Sequence, residues 1–231
     1  MSKFHLGNKT ARLIILQRIE LASTLLKKIR KLFGRYIFST FVSKFFLDKK
    51  LLEKKYYALM ESELQLLEKH LSFDNNKSIL SIGGGVGGLE ALIGQKFDCS
   101  FCFIEKNYTS KKVKYGWDKD NDEAYNDLKL LEKFLLDNNI NKEKFKIFDY
   151  DHDVLPEKKF DIVISLYSLD YHYDFNIYSE YLKKICHNET IIVFDTIQAD
   201  FYKNIFKKVE VIKIDEQTVH KSKRIICNSF I

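Results

Sequence analysis

Proline is almost missing from this 231-residue chain, Pro156 being the only one. Cysteine is sparse as well. Four scattered cysteines do not make a disulfide framework and point to a reducing compartment. No run of about 18 uncharged apolar residues occurs, which argues against a membrane-spanning helix. The opening MSKFHLGNKTARLIIL has no small-residue cleavage site behind an apolar core, so it does not read as a secretory leader. What the chain does hold is 45% hydrophobic and 14% aromatic residues. That is enough for a packed core and excludes disorder as the main state. The length suits one domain of ordinary size with an appendage. The expected location is the cytoplasm, extending to the inner membrane face.

The formal charge of +6 is unevenly placed. Residues 1–55 carry fourteen Lys and Arg against three acids, a net +11, while residues 56–231 carry 24 against 29, a net −5. Apolar side chains at Ile15, Ile19, Ala22, Leu26, Ile29 and Phe33 recur at helical spacing, which predicts an amphipathic helix over 10–33 ended by Gly34. An aromatic-rich piece from Tyr36 to Leu47 and a helix from Leu51 to Leu71 complete a basic helical extension over residues 1–72. Any attraction to anions belongs to this segment. It is read first as a lid or homodimer-packing element, second as a peripheral membrane contact through residues 10–50, and third as a grip on RNA. No RNA-binding motif is recognisable in it, so nucleic acid is not an expected partner.

From residue 73 the pattern changes. Short β-branched and aromatic runs (KSILSIGGG, CSFCFIEKN, KFKIFDYD, FDIVISLYS, TIIVFDTI) alternate with helix-length segments. That alternation predicts an α/β, Rossmann-like parallel sheet wrapped by helices over 73–231. VEVIKID and RIICNSF lie too close together for a crossover helix and predict an antiparallel hairpin at a sheet edge. Cys99 and Cys102 stand three apart in a strand, where side chains face opposite sides, and no second pair completes a zinc site. They read as buried core thiols.

The sharpest feature is Ile79-Leu80-Ser81-Ile82-Gly83-Gly84-Gly85-Val86-Gly87-Gly88, followed by the helical LEALIGQK. Missing side chains let backbone approach a ligand, and the helix start offers free N–H groups. The run fits both G-x-G-x-x-G and G-x-G-x-G. The next strand ends in Glu105, where a carboxylate can accept hydrogen bonds from ribose hydroxyls. The motif therefore points to an adenosine-type ligand without choosing the chemistry.

Position narrows the choice. About 78 residues precede the motif and fewer than 150 follow it, which leaves no room for the further substrate domain a flavin or NAD enzyme needs. With its terminal hairpin, the chain resembles the class I S-adenosylmethionine-dependent methyltransferases over roughly residues 75–231, a seven-stranded sheet whose last strand is antiparallel. The resemblance implies S-adenosyl-L-methionine as cofactor, with Gly83, Gly84, Gly85 and Gly87 at its methionine part and Glu105 at its ribose. It implies Asp149 or Asp151 near the adenine, and Ser165 and Leu166 at the end of the fourth strand. Ser81, which stands where the family carries an acid, is counted with them among the cofactor-binding residues. Two further stretches, Lys114-Tyr115-Gly116-Trp117 with Ala124-Tyr125-Asn126-Asp127-Leu128, and Ser165-Leu166-Tyr167-Ser168-Leu169-Asp170-Tyr171-His172-Tyr173, are similar to sugar O-methyltransferases associated with bacterial surface polysaccharides. They imply an oxygen acceptor on a small molecule, a sugar or a sugar phosphate.

Ligands in open α/β sheets sit beyond the carboxyl ends of the strands, and the fourth strand delivers LYSLDYHYD there. Methyl transfer to a hydroxyl needs alignment and a base, for which His172 is the first candidate and Asp170 the second or its orienting partner. Asp149, Asp151, His152 and Asp153 also form a cluster able to hold a divalent ion, but solvated acidic turns are far commoner and no metal is expected. Asp195, ending the fifth strand, is open to contact with an acceptor or metal, or to starting a turn. Two alternatives stay open: an NAD- or FAD-binding Rossmann protein, and an RNA methyltransferase using the basic segment. The loop SLDYHY in place of Asn/Asp-Pro-Pro-aromatic lowers DNA and exocyclic-amine targets, and the missing Asp-Pro lowers aminopropyl transfer.

Overall fold

Three of the strand segments carry apolar side chains on both faces, and burial follows suit. In β1 (Ser78–Ile82), β2 (Ser100–Glu105) and β4 (Phe160–Ser165) nearly every residue is buried, as expected of central parallel strands covered on both sides. The structure, a computed structural model, describes residues 3–33, 47–109, 124–171, 173–216 and 221–231. With β3 (Phe145–Asp149), β5 (Cys186–Thr196), β6 (Phe206–Ile214) and β7 (Lys223–Phe230) they form one seven-stranded sheet in the order β3-β2-β1-β4-β5-β7-β6. Strands β1 to β5 pair in parallel, while β7 inserts antiparallel between β5 and β6. The expected α/β sheet and terminal hairpin are therefore present.

The described helices divide between the two faces by residue alternation. Ile79 faces the cluster built with α1 (Asn8–Gln17), α3 (Lys49–Glu68), α4 (Gly88–Lys96) and α5 (Leu128–Asp137). Its neighbour Leu80 faces the cluster containing Leu182 of α6 (Asn176–Ile185) and the aromatic group Phe175, Phe194, Tyr202 and Phe206. All four cysteines are free and buried, so Cys99 and Cys102 are core thiols.

The predicted helix over 10–33 is broken. Helix α1 ends at Gln17, a 3-10 turn spans Ile19–Leu21, and α2 covers Thr24–Phe33. The restart is local: Ser23 accepts a hydrogen bond from the Leu26 N–H at 3.3 Å, an N-cap that competes with continuing the helix. The piece from Tyr36 to Leu47 falls outside the described residues except for Leu47. Helix α3 starts where Asp48 accepts from the Leu51 N–H at 3.0 Å. Its residues and those of α1 share a core with the sheet: Leu13, Ile14, Leu52 and Leu64 pack in one cluster with Ile79, Ile162 and Val193.

Polar chemistry fastens α3 as well. Arg224 on β7 is 0% exposed and donates from Nε and Nη2 to Asp195 at 3.1 Å each, and from Nη1 to Glu63 of α3. Glu63 also accepts from Lys213 at 2.9 Å. Burial works against the Glu63 charge, yet Arg224 and Lys213 hold its carboxyl below the ordinary range. Asp195 is thus enclosed at 1% exposure and satisfied internally, so it meets neither acceptor nor metal. Breaking a buried pair from one side leaves charge stranded in a low dielectric. Arg224→Met should therefore lower the unfolding free energy by about 3–5 kcal/mol in urea melts at neutral pH. A loss below about 1 kcal/mol, the size of a surface pair, would show that the guanidinium is dispensable.

Candidate active site

Strand order reverses between β1 and β4, and the crevice this opens lies at their carboxyl ends. Register brings the candidates to that edge: Ile82 pairs with Ile104, and Glu105 with Asp149. Beyond Ile82 the chain turns through Gly83 at φ +67° and Gly85 at φ +68°, a left-handed region costly for any residue with a Cβ. Space forbids one too. A Cβ on Gly83 would collide with the Ser168 side chain, and one on Gly85 would come within 2.8 Å of Gln17 Oε1. Gly87 then caps α4, whose first N–H groups open on the turn.

Glu105 is 7% exposed, and its Oε1 accepts from the Gly85 N–H at 2.7 Å. Burial pushes its carboxyl up to about 8, with the Asn126 amide and the Gly85 N–H pulling the other way. Asn126 also donates to the Gly85 carbonyl at 2.8 Å. Gln17, the last residue of α1, donates to the Tyr125 carbonyl at 2.7 Å and to Asn126 Oδ1 at 3.3 Å. The basic front end therefore covers the glycine turn. Asn126 and Gln17 carry no sequence-level signal for this role, beyond Asn126 lying in the stretch that resembles sugar methyltransferases.

Ser81 points inward. Its Oγ donates to Glu90 Oε1 of α4 at 2.5 Å, and neither residue is exposed above 2%. Glu90 is the one charged residue in the first two turns of α4, GLEALIG, and nothing in that pattern marks it as facing the strand.

At the β3 end, Asp149 lies within hydrogen-bond distance of His152 Nδ1 at 3.0 Å and accepts from the Asp151 N–H at 3.2 Å. Asp151 pairs with Lys106 at 3.2 Å. Asp153 accepts from the Asp149 N–H at 2.8 Å, so the cluster is a turn held by its own hydrogen bonds with Asp151 turned out to Lys106. Among the described residues no group of three His, Cys, Asp or Glu side chains is arranged to hold a metal. Tyr150, between them, packs on Tyr178 with ring centroids 5.3 Å apart. Its N–H donates to the Glu105 carbonyl at 2.8 Å, which couples the ends of β2 and β3.

Beyond β4 the loop is anchored from below. Ser165 Oγ donates to the Ile82 carbonyl at 2.8 Å and accepts from the Leu169 N–H at 2.9 Å. Leu166 packs half-buried against the core. Tyr167 is held at φ +56°, its N–H donated to Asp195 at 2.9 Å and its hydroxyl to Asp215 at 3.0 Å. The Arg18 guanidinium lies 5.0 Å from the Tyr167 ring centre, and the Tyr171 ring meets Tyr167 edge-on at 5.6 Å. Asp170, 1% exposed, accepts from the Thr196 hydroxyl and from Gln198 at 3.4 Å. Burial raises its carboxyl above the ordinary range. It braces the loop from within. His172 lies outside the described residues.

No protein-family model and no curated protein matches the sequence. Among solved structures the chain is similar to a candidate O-methyltransferase from Nostoc punctiforme PCC 73102, at 10% identity and a TM-score of 0.53 over 78% of this chain and 58% of that one. It is also similar to a candidate sarcosine dimethylglycine methyltransferase from Galdieria sulphuraria, at 11% identity and TM-score 0.41 over 64% of this chain and 49% of that one. A third is an S-adenosylmethionine-dependent methyltransferase from Thiobacillus denitrificans in complex with S-adenosyl-L-homocysteine, at 10% identity and TM-score 0.40 over 71% and 51%. The chain spans under three fifths of the length of each of these three. At such identity the first likeness establishes the fold alone: the chain has the Rossmann-like architecture of the methyltransferases, with the antiparallel hairpin that closes its sheet.

Proposed function

We propose that this chain is an S-adenosylmethionine-dependent methyltransferase that methylates an oxygen of a small-molecule acceptor, a sugar or sugar phosphate being the favoured class. The observation that carries this reading is the glycine turn facing Glu105 at the reversal of the strand order. The residues fit such a cofactor on two counts. The turn at Gly83, Gly84, Gly85 and Gly87 forms a backbone cradle that a Cβ would fill, and Glu105 offers a carboxylate at the place a ribose would occupy. The inserted antiparallel strand also sets this sheet apart from the all-parallel sheet of NAD and FAD binders.

When bound, the cofactor supplies an electrophilic methyl group on sulfur. The chain's work is to hold, orient and desolvate. Backbone N–H groups at the start of α4 receive the amino-acid carboxylate. Glu105 exchanges its hydrogen bond from Gly85 for bonds from ribose hydroxyls. Asp149 and Asp151 flank the adenine side beside Tyr150. The acceptor lies over the loop after β4, where the rings of Tyr167 and Tyr171 offer a stacking wall and Arg18 a cation for a phosphate-bearing substrate. Ser165 and Asp170 keep that loop in place, and His172, which follows Tyr171 in the sequence, takes the proton from the acceptor hydroxyl. The apolar side of α1 is buried in the core, so any membrane or dimer contact falls to the remainder of residues 10–50.

Two outcomes follow. Glu105 holds a proton in the folded chain that the unfolded chain gives up above about pH 4.5. Its contribution to stability is therefore complete below that value and is lost as pH rises through about 8. Glu105→Gln removes that loss. Its melting temperature should gain on the unsubstituted chain as pH rises from 5 to 8, while affinity for S-adenosylhomocysteine falls about tenfold to 100-fold. Equal affinities would remove Glu105 from the ribose site. His172→Ala should keep S-adenosylhomocysteine affinity yet lose turnover in a labelled-methyl screen over nucleotide sugars, glycan precursors and RNA, with and without a divalent ion. Unchanged turnover removes the histidine from the chemistry, and labelling of RNA alone overturns the sugar assignment.

A further inference from the structure

Beneath the glycine turn sits a carboxyl group whose hydrogen bonding is half complete. Glu90 is 2% exposed. Its Oε1 takes the Ser81 hydroxyl at 2.5 Å and would lie 2.9 Å from a Cβ placed on Gly84, so the group rests directly against the turn. Its Oε2 is buried and has no hydrogen-bond partner among the described residues. Burying a carboxyl oxygen with nothing to meet it is costly, and native proteins rarely keep such an atom without a use. Among the described residues no cation pairs with Glu90: Arg18 is a minor influence beside the burial that raises its carboxyl above the ordinary range.

We infer that Glu90 binds the α-ammonium group of the cofactor's amino-acid tail, the carboxylate reaching the turn from helix α4 because strand position 81 holds a serine. The inference rests on the methyltransferase function proposed above. The division of labour is chemical. Ser81 fixes one oxygen and so sets the orientation of the carboxyl plane, leaving the other oxygen for a charged donor. An ammonium beside the turn gives the poorly satisfied carboxyl a charge-assisted partner. Glu105, which carries the second buried carboxyl at this turn, answers to the ribose, so the two acids recognise different halves of one ligand.

The test uses two ligands. S-adenosylhomocysteine carries the α-ammonium, whereas 5′-methylthioadenosine keeps the nucleoside and sulfur and lacks the amino-acid tail. Calorimetry on the full chain should show Glu90→Gln weakening S-adenosylhomocysteine by about tenfold or more while leaving 5′-methylthioadenosine unchanged. Glu90→Ala, which takes out the unpartnered oxygen altogether, should give the same selective loss and keeps the test available if the glutamine variant folds poorly. Equal weakening of both ligands would mean damage to the turn, and no weakening of either would mean a bystander; each overturns the assignment while leaving the cofactor intact. An unsubstituted chain that binds neither ligand overturns the methyltransferase function and the assignment with it.

Discussion

A guanidinium with no access to water has to keep its counter-charges, and at Arg224 that requirement joins three distant parts of the chain. Asp195 from β5 and Glu63 from α3 meet it from two sides. The antiparallel entry of β7 is what delivers Arg224 to the carboxyl edge of a parallel strand, since the register sets Asp195 opposite Arg224. Asp195 in turn accepts the Tyr167 N–H, which fixes the first left-handed residue of the loop after β4. The loop after β4 thus depends on a charge cluster buried behind it. The same cluster ties α3 to the sheet, so the helical front end and the strands behave as parts of one core.

The cofactor side is built on the opposite principle. There the chain keeps two carboxyl groups, Glu90 and Glu105, close to a turn made almost wholly of backbone, and burial holds both above the ordinary range. Without a ligand these are unfavourable placements that the surrounding core has to offset. A nucleoside with an amino-acid tail would bring an ammonium group for the unpartnered Glu90 oxygen and hydroxyls to exchange with the Gly85 N–H at Glu105. Gln17 and Asn126 cover the turn from the side, so the end of α1 is joined to the turn through two side-chain amides.

Much of this was legible in the sequence because it is written in local patterns. Runs such as SILSI and FDIVIS announce buried strands, and the spacing of the last two runs excludes a crossover. The positive-φ glycines and Glu105 at a strand end follow from the same kind of reasoning. What the pattern could not carry was long-range pairing. Asp195 looked like an edge acid open to substrate and is the counter-ion of a residue 29 positions away. Asp170 looked like a candidate base and is buried against Thr196 and Gln198. Nothing in the helical run LEALIGQK singles out Glu90, because only the packing of α4 on β1 turns it toward Ser81. The break at Ser23 shows the converse, a local cap overriding an apolar period that continues on both sides.

The central claim is that the turn and Glu105 recognise the product of methyl transfer and not a dinucleotide. Isothermal calorimetry of the full chain against S-adenosylhomocysteine and NAD tests it most directly. Tight binding of S-adenosylhomocysteine with no heat from NAD is the predicted result. Binding of NAD with none of S-adenosylhomocysteine would contradict it.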